Sequence, residues 1–364
     1  MKKTITVLSA AALVTTGSVA FTGVAHATPG VATVQAAQQA INVIPDPGLQ
    51  QALNKAIDPN RSASQPVTED ELFNLENPVD ASNSGIRSLE GLGKAYFIPE
   101  LNLSGNNLET LPAGEIRTLR SLKTLTLSSN ALTTLPEELA RLRNLESLDL
   151  SNNKIAELPS YIGSIAKLTH LSVSNNNLTT LPKELAEAKQ LNSLDASSNK
   201  INTLAEPVAA PSLARLNLAN NDLSQVSRGM FPNKIGWVDI SNNKLFNVSA
   251  IDVGRTGRFI GGGQVVTAEP IEIPAGATSH IQSFLPTRIF LNDIYDDSGY
   301  GINSITIDST SDHTYARGQG WQNRYHHIEW RNIAPGATEL TYTFRGDLSR
   351  SFGGTVIQPI IRTP

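Results

Sequence analysis

Apolar residues recur in one register through the middle of the chain. Leu101, Leu103, Asn106, Leu108 and Leu111 set a pattern that returns as Leu122, Leu125, Leu127, Asn130, Leu132 and Leu135, and then five more times. The asparagines fix the period: Asn106, Asn130, Asn153, Asn176, Asn199, Asn221 and Asn243 are separated by 24, 23, 23, 23, 22 and 22 residues. Two leucines separated by one residue, as in Leu125 and Leu127, place both side chains on one face of a short strand and the residue between them on the other. The pattern predicts parallel strands stacked one per repeat. A side-chain amide at each asparagine can satisfy backbone groups at the turn after the strand, giving a structural asparagine ladder. Leu-Pro pairs at Leu111-Pro112, Leu135-Pro136, Leu158-Pro159 and Leu181-Pro182 close the turn, and segments such as 137–143 supply Leu139 and Leu142 as a convex-side helix. One repeat cannot bury its own apolar face, whereas seven form a continuous core.

This is the leucine-rich-repeat pattern. It implies a right-handed α/β solenoid with a parallel concave sheet over residues 93–249, and a degenerate earlier unit runs through Val79, Ala81, Ser84, Ile86 and Leu89. At the N-terminal end, Asp46-Pro47 reads as a helix start followed by Leu49, Leu53, Ala56 and Ile57 at helical spacing. Thr68 with Glu71 reads as a capping box opening a second helix, so residues 43–92 form a helical N-terminal cap with the degenerate repeat.

Beyond Val248 the composition changes. Residues 250–364 hold 12 of the 20 aromatic residues, four leucines and no lysine. Alternating stretches at 265–273, 304–307, 327–330 and 340–344, punctuated by Pro-Ala-Gly, Asp-Ser-Gly and Ala-Pro-Gly turns, predict an antiparallel all-β sandwich.

The segments Val43-Ile44-Pro45-Asp46-Pro47-Gly48-Leu49, Val67-Thr68 with Glu71-Leu72, and the run from Asp80 to Leu92 resemble the N-terminal cap of the internalins, bacterial secreted or surface leucine-rich-repeat proteins. Segments 328–336, 340–344 and 352–360 resemble the immunoglobulin-like module that follows the repeats in that family. The resemblance implies an adhesion or virulence role for a Gram-positive bacterium. Repeats of 23 and 24 residues with a Leu-Pro turn depart from the 22-residue internalin repeat, so curvature is expected to differ.

Charge and targeting narrow the function. Lys2-Lys3, an apolar stretch to residue 24 and Ala25-His26-Ala27 read as a cleavable export signal over residues 1–27, with 28–42 as a linker. Cleavage removes two lysines and no acid, taking the net charge from −4 to −6, which speaks against nucleic acid as a partner. No later segment is apolar enough to span a membrane. With no cysteine there is no disulfide, thiolate metal site or thiol nucleophile. Leu285-Pro286-Thr287-Arg288 is not a sortase signal, and the expected location is secreted, with loose cell-surface association allowed.

Function is then expected on the concave strand face. The middle row reads Asn102, Thr126, Asp149, Ser172, Asp195, Asn217 and Asp239; the flanking rows read Glu100, Thr124, Ser147, His170, Ser193, Arg215 and Trp237, and Ser104, Ser128, Ser151, Ser174, Ser197, Ala219 and Ser241. Most are small and polar. Binding hot spots favour Trp, Tyr and Arg, so His170, Arg215 and Trp237 are the candidate anchors, with Asp149, Asp195, Asn217 and Asp239 available to a basic or hydroxyl-rich partner. Structural readings stand beside these: the aspartates solvate a crowded face, Arg215 pairs with Asp195, or Trp237 packs under the sandwich.

Catalytic motifs are absent: no nucleophile elbow, zinc-protease helix, phosphate loop or dinucleotide fingerprint occurs. Asp149 and Asp195, about 10 Å apart at two strand spacings, are too far apart for a glycosidase pair. The oxygen-rich turn between Asp293 and Asp297 leaves a calcium site open but lacks the spacing of a known calcium loop, and His326-His327 alternate faces of a strand, so the reading assigns no metal or cofactor. The reading is a monomeric, non-enzymatic binder of an extracellular host protein or glycan. Its alternative is an envelope-associated structural protein binding the producer's own wall glycans, through Trp321, Tyr325 and Trp330. Inhibition of a foreign secreted enzyme would use the same concave face.

Overall fold

The computed structural model describes residues 41–204, 210–226, 235–245, 258–277, 280–283, 305–308, 313–317, 326–330, 333, 336–346 and 352–364. The export signal, Trp321, Tyr325 and the turn between Asp293 and Asp297 lie outside the described residues.

The predicted strand triplets form the spine of the fold. Strands β1 (Val79–Asp80), β2 (Glu100–Asn102), β3 (Thr124–Thr126), β4 (Ser147–Asp149), β5 (His170–Ser172), β6 (Ser193–Asp195), β7 (Arg215–Asn217) and β8 (Trp237–Asp239) pair in order, all parallel. The degenerate unit at Val79 is therefore a full member of the stack. Each triplet buries its central leucine or valine, and the repeat from Asn130 to Asn153 buries Leu132, Leu135, Leu139, Leu142, Leu145, Leu148 and Leu150. At about 1.5–3 kcal/mol per buried large apolar side chain, this continuous core is the main stabilising term. It exists only through stacking, since each leucine meets partners in the neighbouring repeats.

The asparagine ladder works as hydrogen-bond accounting predicts. Asn176 is typical: its Nδ2 donates to the carbonyls of Leu150 and Val173 at 3.0 Å each and Ser174 at 3.2 Å, while its Oδ1 accepts from the Ile155 amide at 3.0 Å. The amide and carbonyl it satisfies in the preceding repeat have no strand to pair with at that depth. The residue before each ladder position must turn left-handed. Asn83, Gly105, Ser129, Asn152, Asn175, Ser198, Asn220, Asn242 and Gly263 all do so, with φ between 51° and 72°. Asparagine and glycine suit that conformation; the two serines do not.

The convex segments differ from the expected helices. The span Glu137–Arg141 is a five-residue 3₁₀ turn, as are Ser160–Ser164 and Lys183–Glu187. A 23-residue repeat leaves too few residues for an α-helix between the Leu-Pro turn and the next strand. The 24-residue repeat has one more, and there α3 (Ala113–Ile116) closes an α-turn in which the Ile116 amide donates to the Pro112 carbonyl.

Two helices precede the repeats: α1 (Pro47–Ile57) and α2 (Glu69–Phe73). Asp46 starts α1 and ties it to the stack. Its Oδ1 accepts from the Gly48 and Leu49 amides, and its Oδ2 accepts from the Arg87 and Ser88 amides at 2.9 and 3.1 Å. The capping box at Thr68 and Glu71 is present, and Arg61 adds two hydrogen bonds to the Glu71 carboxylate. Those bonds to Arg61, ahead of the ones from Thr68, lower the Glu71 pKa from 4.5 to about 2 against a smaller desolvation effect. Leu49, Leu53 and Leu72 join the core that includes Val79, Ile86 and Leu89.

At the other end, the repeat ladder continues across the expected residue-250 boundary. Strand β9 (Arg258–Thr267) pairs parallel with β8 in repeat register, Trp237 opposite Arg258 and Asp239 opposite Ile260. Gln264 stands in the next ladder position, accepting from the Leu245 amide and donating to the Ile240 and Gly261 carbonyls, each at 2.9 Å. Beyond it come β10 (Ile271–Pro274), β11 (His280–Ser283), β12 (Ile305–Asp308), β13 (His313–Arg317), β14 (His326–Trp330), β15 (Glu339–Gly346) and β16 (Phe352–Thr363). The main sheet runs on from β9 through β16 and β15 to β12, and β11, β14 and β13 form a second sheet. The expected fully antiparallel pairing is corrected: β16 runs parallel to both β9 and β10. Strand β9 takes its direction from the parallel repeats, and its new neighbour follows it. Val356, Leu340 and Ile273 belong to the same buried cluster as the repeat leucines.

Candidate ligand-binding face

The concave face is built by the side chains that flank each buried leucine. Strand register sets them in rows, with neighbours about 4.8 Å apart. The first row runs Glu100, Thr124, Ser147, His170, Ser193, Arg215, Trp237 and Arg258; the second runs Asp80, Asn102, Thr126, Asp149, Ser172, Asp195, Asn217, Asp239 and Ile260. Arg215, Asn217, Trp237 and Asp239 thus stand on adjacent strands, with Asp195 one strand further. His170 is one strand beyond Asp195, and Asp149 one more.

The middle row has a structural task that sequence reasoning overlooked. Asp149 Oδ1 accepts from the Ser151 amide, and Asn217 Oδ1 from the Ala219 amide. Asp195 and Asp239 each accept both the amide and the hydroxyl of the serine two residues on, the hydroxyls at 2.7 Å. The recurring Asp-x-Ser spacing was the available signal: it is the local turn in which an acidic side chain satisfies backbone two positions ahead. Asp80 does the same, and hydrogen bonding from the Ser82 side chain, then from its amide, holds its carboxyl below the usual range. Each of Asp149, Asp195 and Asp239 still keeps one carboxylate oxygen with no hydrogen bond among the described residues.

The expected Arg215–Asp195 alternative is not realised. Asp195 lies opposite Asn217 and turns to Ser197, while Arg215 lies opposite Ser193 and forms no ion pair among the described residues. Arg215 and His170 are exposed, and Trp237 is half-buried. Thr169 orients the His170 ring. Its hydroxyl donates to the Glu146 carbonyl at 2.8 Å, so the 2.8 Å contact with His170 Nδ1 is donated by the ring.

Arg258 was missed by sequence because its repeat carries Gln264 in place of asparagine and Phe259 in place of leucine. The Arg258-Phe259-Ile260 triplet followed five residues later by Gly263-Gln264 was the weak signal.

Residues 80–230 match the family described as leucine-rich repeat region. Internalin C2 from Listeria monocytogenes is 25% identical, with a TM-score of 0.52 over 60% of this chain and 93% of that one. The chain is an internalin-like leucine-rich-repeat protein. Internalin F from the same organism is 19% identical over 63% of this chain and 78% of its own, with a TM-score of 0.44. The functional domain of Listeria InlJ is 17% identical over 87% and 97%, with a TM-score of 0.31. No curated protein sequence matches the chain. Among the described residues of this internalin-like chain, no helix is long and apolar enough to cross a membrane.

Proposed function

We propose that this internalin-like chain is an exported, non-enzymatic binding protein whose concave face recognises an extracellular protein or glycan of a host. The observation that carries the reading is the nine-strand face itself. It is backed by a leucine core and lined by polar side chains whose larger members are an exposed His170, an exposed Arg215 with no ion pair among the described residues, and a half-buried Trp237. Preorganised side chains on a rigid sheet bind with little ordering cost. In this reading Asp149, His170, Asp195, Arg215, Asn217, Trp237 and Asp239 are the contact residues. Helices α1 and α2 act as the N-terminal cap, and the C-terminal strands form an immunoglobulin-like module closing the other end. The chain acts as a monomer after signal cleavage, secreted and without a metal or cofactor.

The test is binding of labelled protein 28–364 to host epithelial cells and to purified cell walls of the producer, beside a His170→Ala, Arg215→Ala, Trp237→Ala triple variant of unchanged circular dichroism. Cell binding that is lost in the triple variant supports the reading. Binding to walls alone, equal in both proteins, refutes it and favours the envelope function.

A further inference from the structure

The concave face is electrically divided along its length. Among the strand residues facing that side, four carboxylates, Asp80, Glu100, Asp149 and Asp195, stand on the first six strands, and no lysine or arginine does. Both arginines stand at the other end, on β7 and β9, with Trp237 between them in the same row. Both are exposed, and neither guanidinium makes a hydrogen bond or ion pair among the described residues. The acid at this end, Asp239, has one oxygen committed to the Ser241 amide and hydroxyl, and it sits opposite Asn217 and Ile260 rather than either arginine.

We infer that the Arg215–Trp237–Arg258 row is a recognition site for an acidic, extended segment of a protein partner, whose carboxylates take the two guanidinium forks and whose intervening residue stacks on the indole. This deepens the proposed function and rests on its reading of the concave face. Three physical points support it. Guanidinium matches carboxylate with two parallel hydrogen bonds, and an indole adds a flat apolar platform that needs no charge. The two arginines are two strand spacings apart, about 9.6 Å. A polyproline-type segment returns a side chain to the same side every three residues, about 9.3 Å, whereas a β-strand does so at about 6.7 Å. The division of charge along the sheet also gives an elongated partner a preferred direction, with its acidic part at β7–β9 and its basic part toward β1–β6. Opposed potentials of this kind set register and suppress the reversed orientation.

The test uses fluorescein-labelled (Glu-Pro-Pro)₅, its (Lys-Pro-Pro)₅ counterpart and a heparin decasaccharide, titrated against the full mature chain by anisotropy. The glutamate peptide is expected to bind and to weaken as salt rises, and the lysine peptide is expected not to bind. Arg215→Gln or Arg258→Gln should each weaken binding about tenfold, and Arg258→Lys by less, because it keeps the charge and loses only the fork. Peptide should quench tryptophan emission in the parent protein and not in Trp237→Phe, a signature that a purely structural role for Trp237 would not give. Equal binding of both peptides, no binding of the glutamate peptide, heparin binding without peptide binding, or full affinity in both glutamine variants would each overturn the inference. Cell binding separates the two levels. Loss of cell binding in the His170, Arg215, Trp237 triple variant with no glutamate-peptide binding ends this inference alone, whereas unchanged cell binding in that variant ends the concave-face reading itself.

Discussion

Replacing Asn176 by alanine removes a side chain whose every polar atom is used. The Ile155 amide loses its acceptor and stays buried, which costs about 1–3 kcal/mol. The Leu150 and Val173 carbonyls are affected less, because each also accepts from a neighbouring ladder asparagine, Asn153 and Asn199 respectively. Their loss adds about 0.5–1 kcal/mol, for a total of about 1.5–4 kcal/mol. Asn176→Asp is expected to be worse at neutral pH. It keeps an acceptor for Ile155 but sets a charged oxygen against the three carbonyl oxygens of Leu150, Val173 and Ser174, and protonation at low pH should narrow its deficit relative to alanine. Urea midpoints by circular dichroism give the global effect, with exposed Thr179→Ala as the control. Amide hydrogen exchange at Ile155 gives the local one, free of any assumption that the repeat stack unfolds in one step. If Ile155 remains as protected in Asn176→Ala as in the parent protein, the ladder argument is wrong.

Three further outcomes are expected. Ser129→Asn should raise stability by about 0.5 kcal/mol, since Ser129 holds φ at 56° where most repeats use asparagine or glycine; an unchanged urea midpoint would show that the turn carries no strain. Gly163→Ala should lower stability by about 3 kcal/mol or more, because the added methyl would collide with the Glu184 backbone carbonyl of the next convex turn, and wild-type melting of that variant would contradict the packing. Glu71 has a folded pKa of about 2 against 4.5 unfolded, so its contribution is complete above pH 4.5 and fades as pH falls toward 2. The stability gap between parent and Glu71→Gln should therefore be steady at neutral pH, about 1–2 kcal/mol after solvent screening, and close in acid, whereas a gap independent of pH would exclude the Arg61–Glu71 pair as its source.

The repeats were legible because their signal is redundant. Leu148, Asn153 and Leu158 can each be read only by analogy with Leu125, Asn130 and Leu135, but the analogy holds through seven units, and a side chain one strand away is also one period away in sequence. That is why the concave rows could be written down from the sequence and stand in register in the fold. The convex turns were misjudged as helices because leucine spacing in so short a segment suits a 3₁₀ turn as well.

The C-terminal end is where periodicity failed. Arg258 and Gln264 belong to the stack by geometry, yet glutamine in a ladder position, three glycines before it and phenylalanine in place of the strand leucine masked the repeat. The engagement of Asp195 by Ser197 was visible in principle as a two-residue spacing, but the absence of an ion pair at Arg215 among the described residues was not, since it depends on where each side chain turns. Sequence by itself determined the leucine core, the asparagine ladder and the rows of the concave sheet, because each follows from a local period and from the need to satisfy backbone at every turn. Only the tertiary structure decided that β9 extends the repeat sheet, that β16 runs parallel to it, and that Arg258 completes a row with Arg215 and Trp237. Strand β9 follows β8 by 21 residues, close to the repeat period, but carries glutamine and phenylalanine where the pattern has asparagine and leucine, and β16 joins it across a separation that has no period.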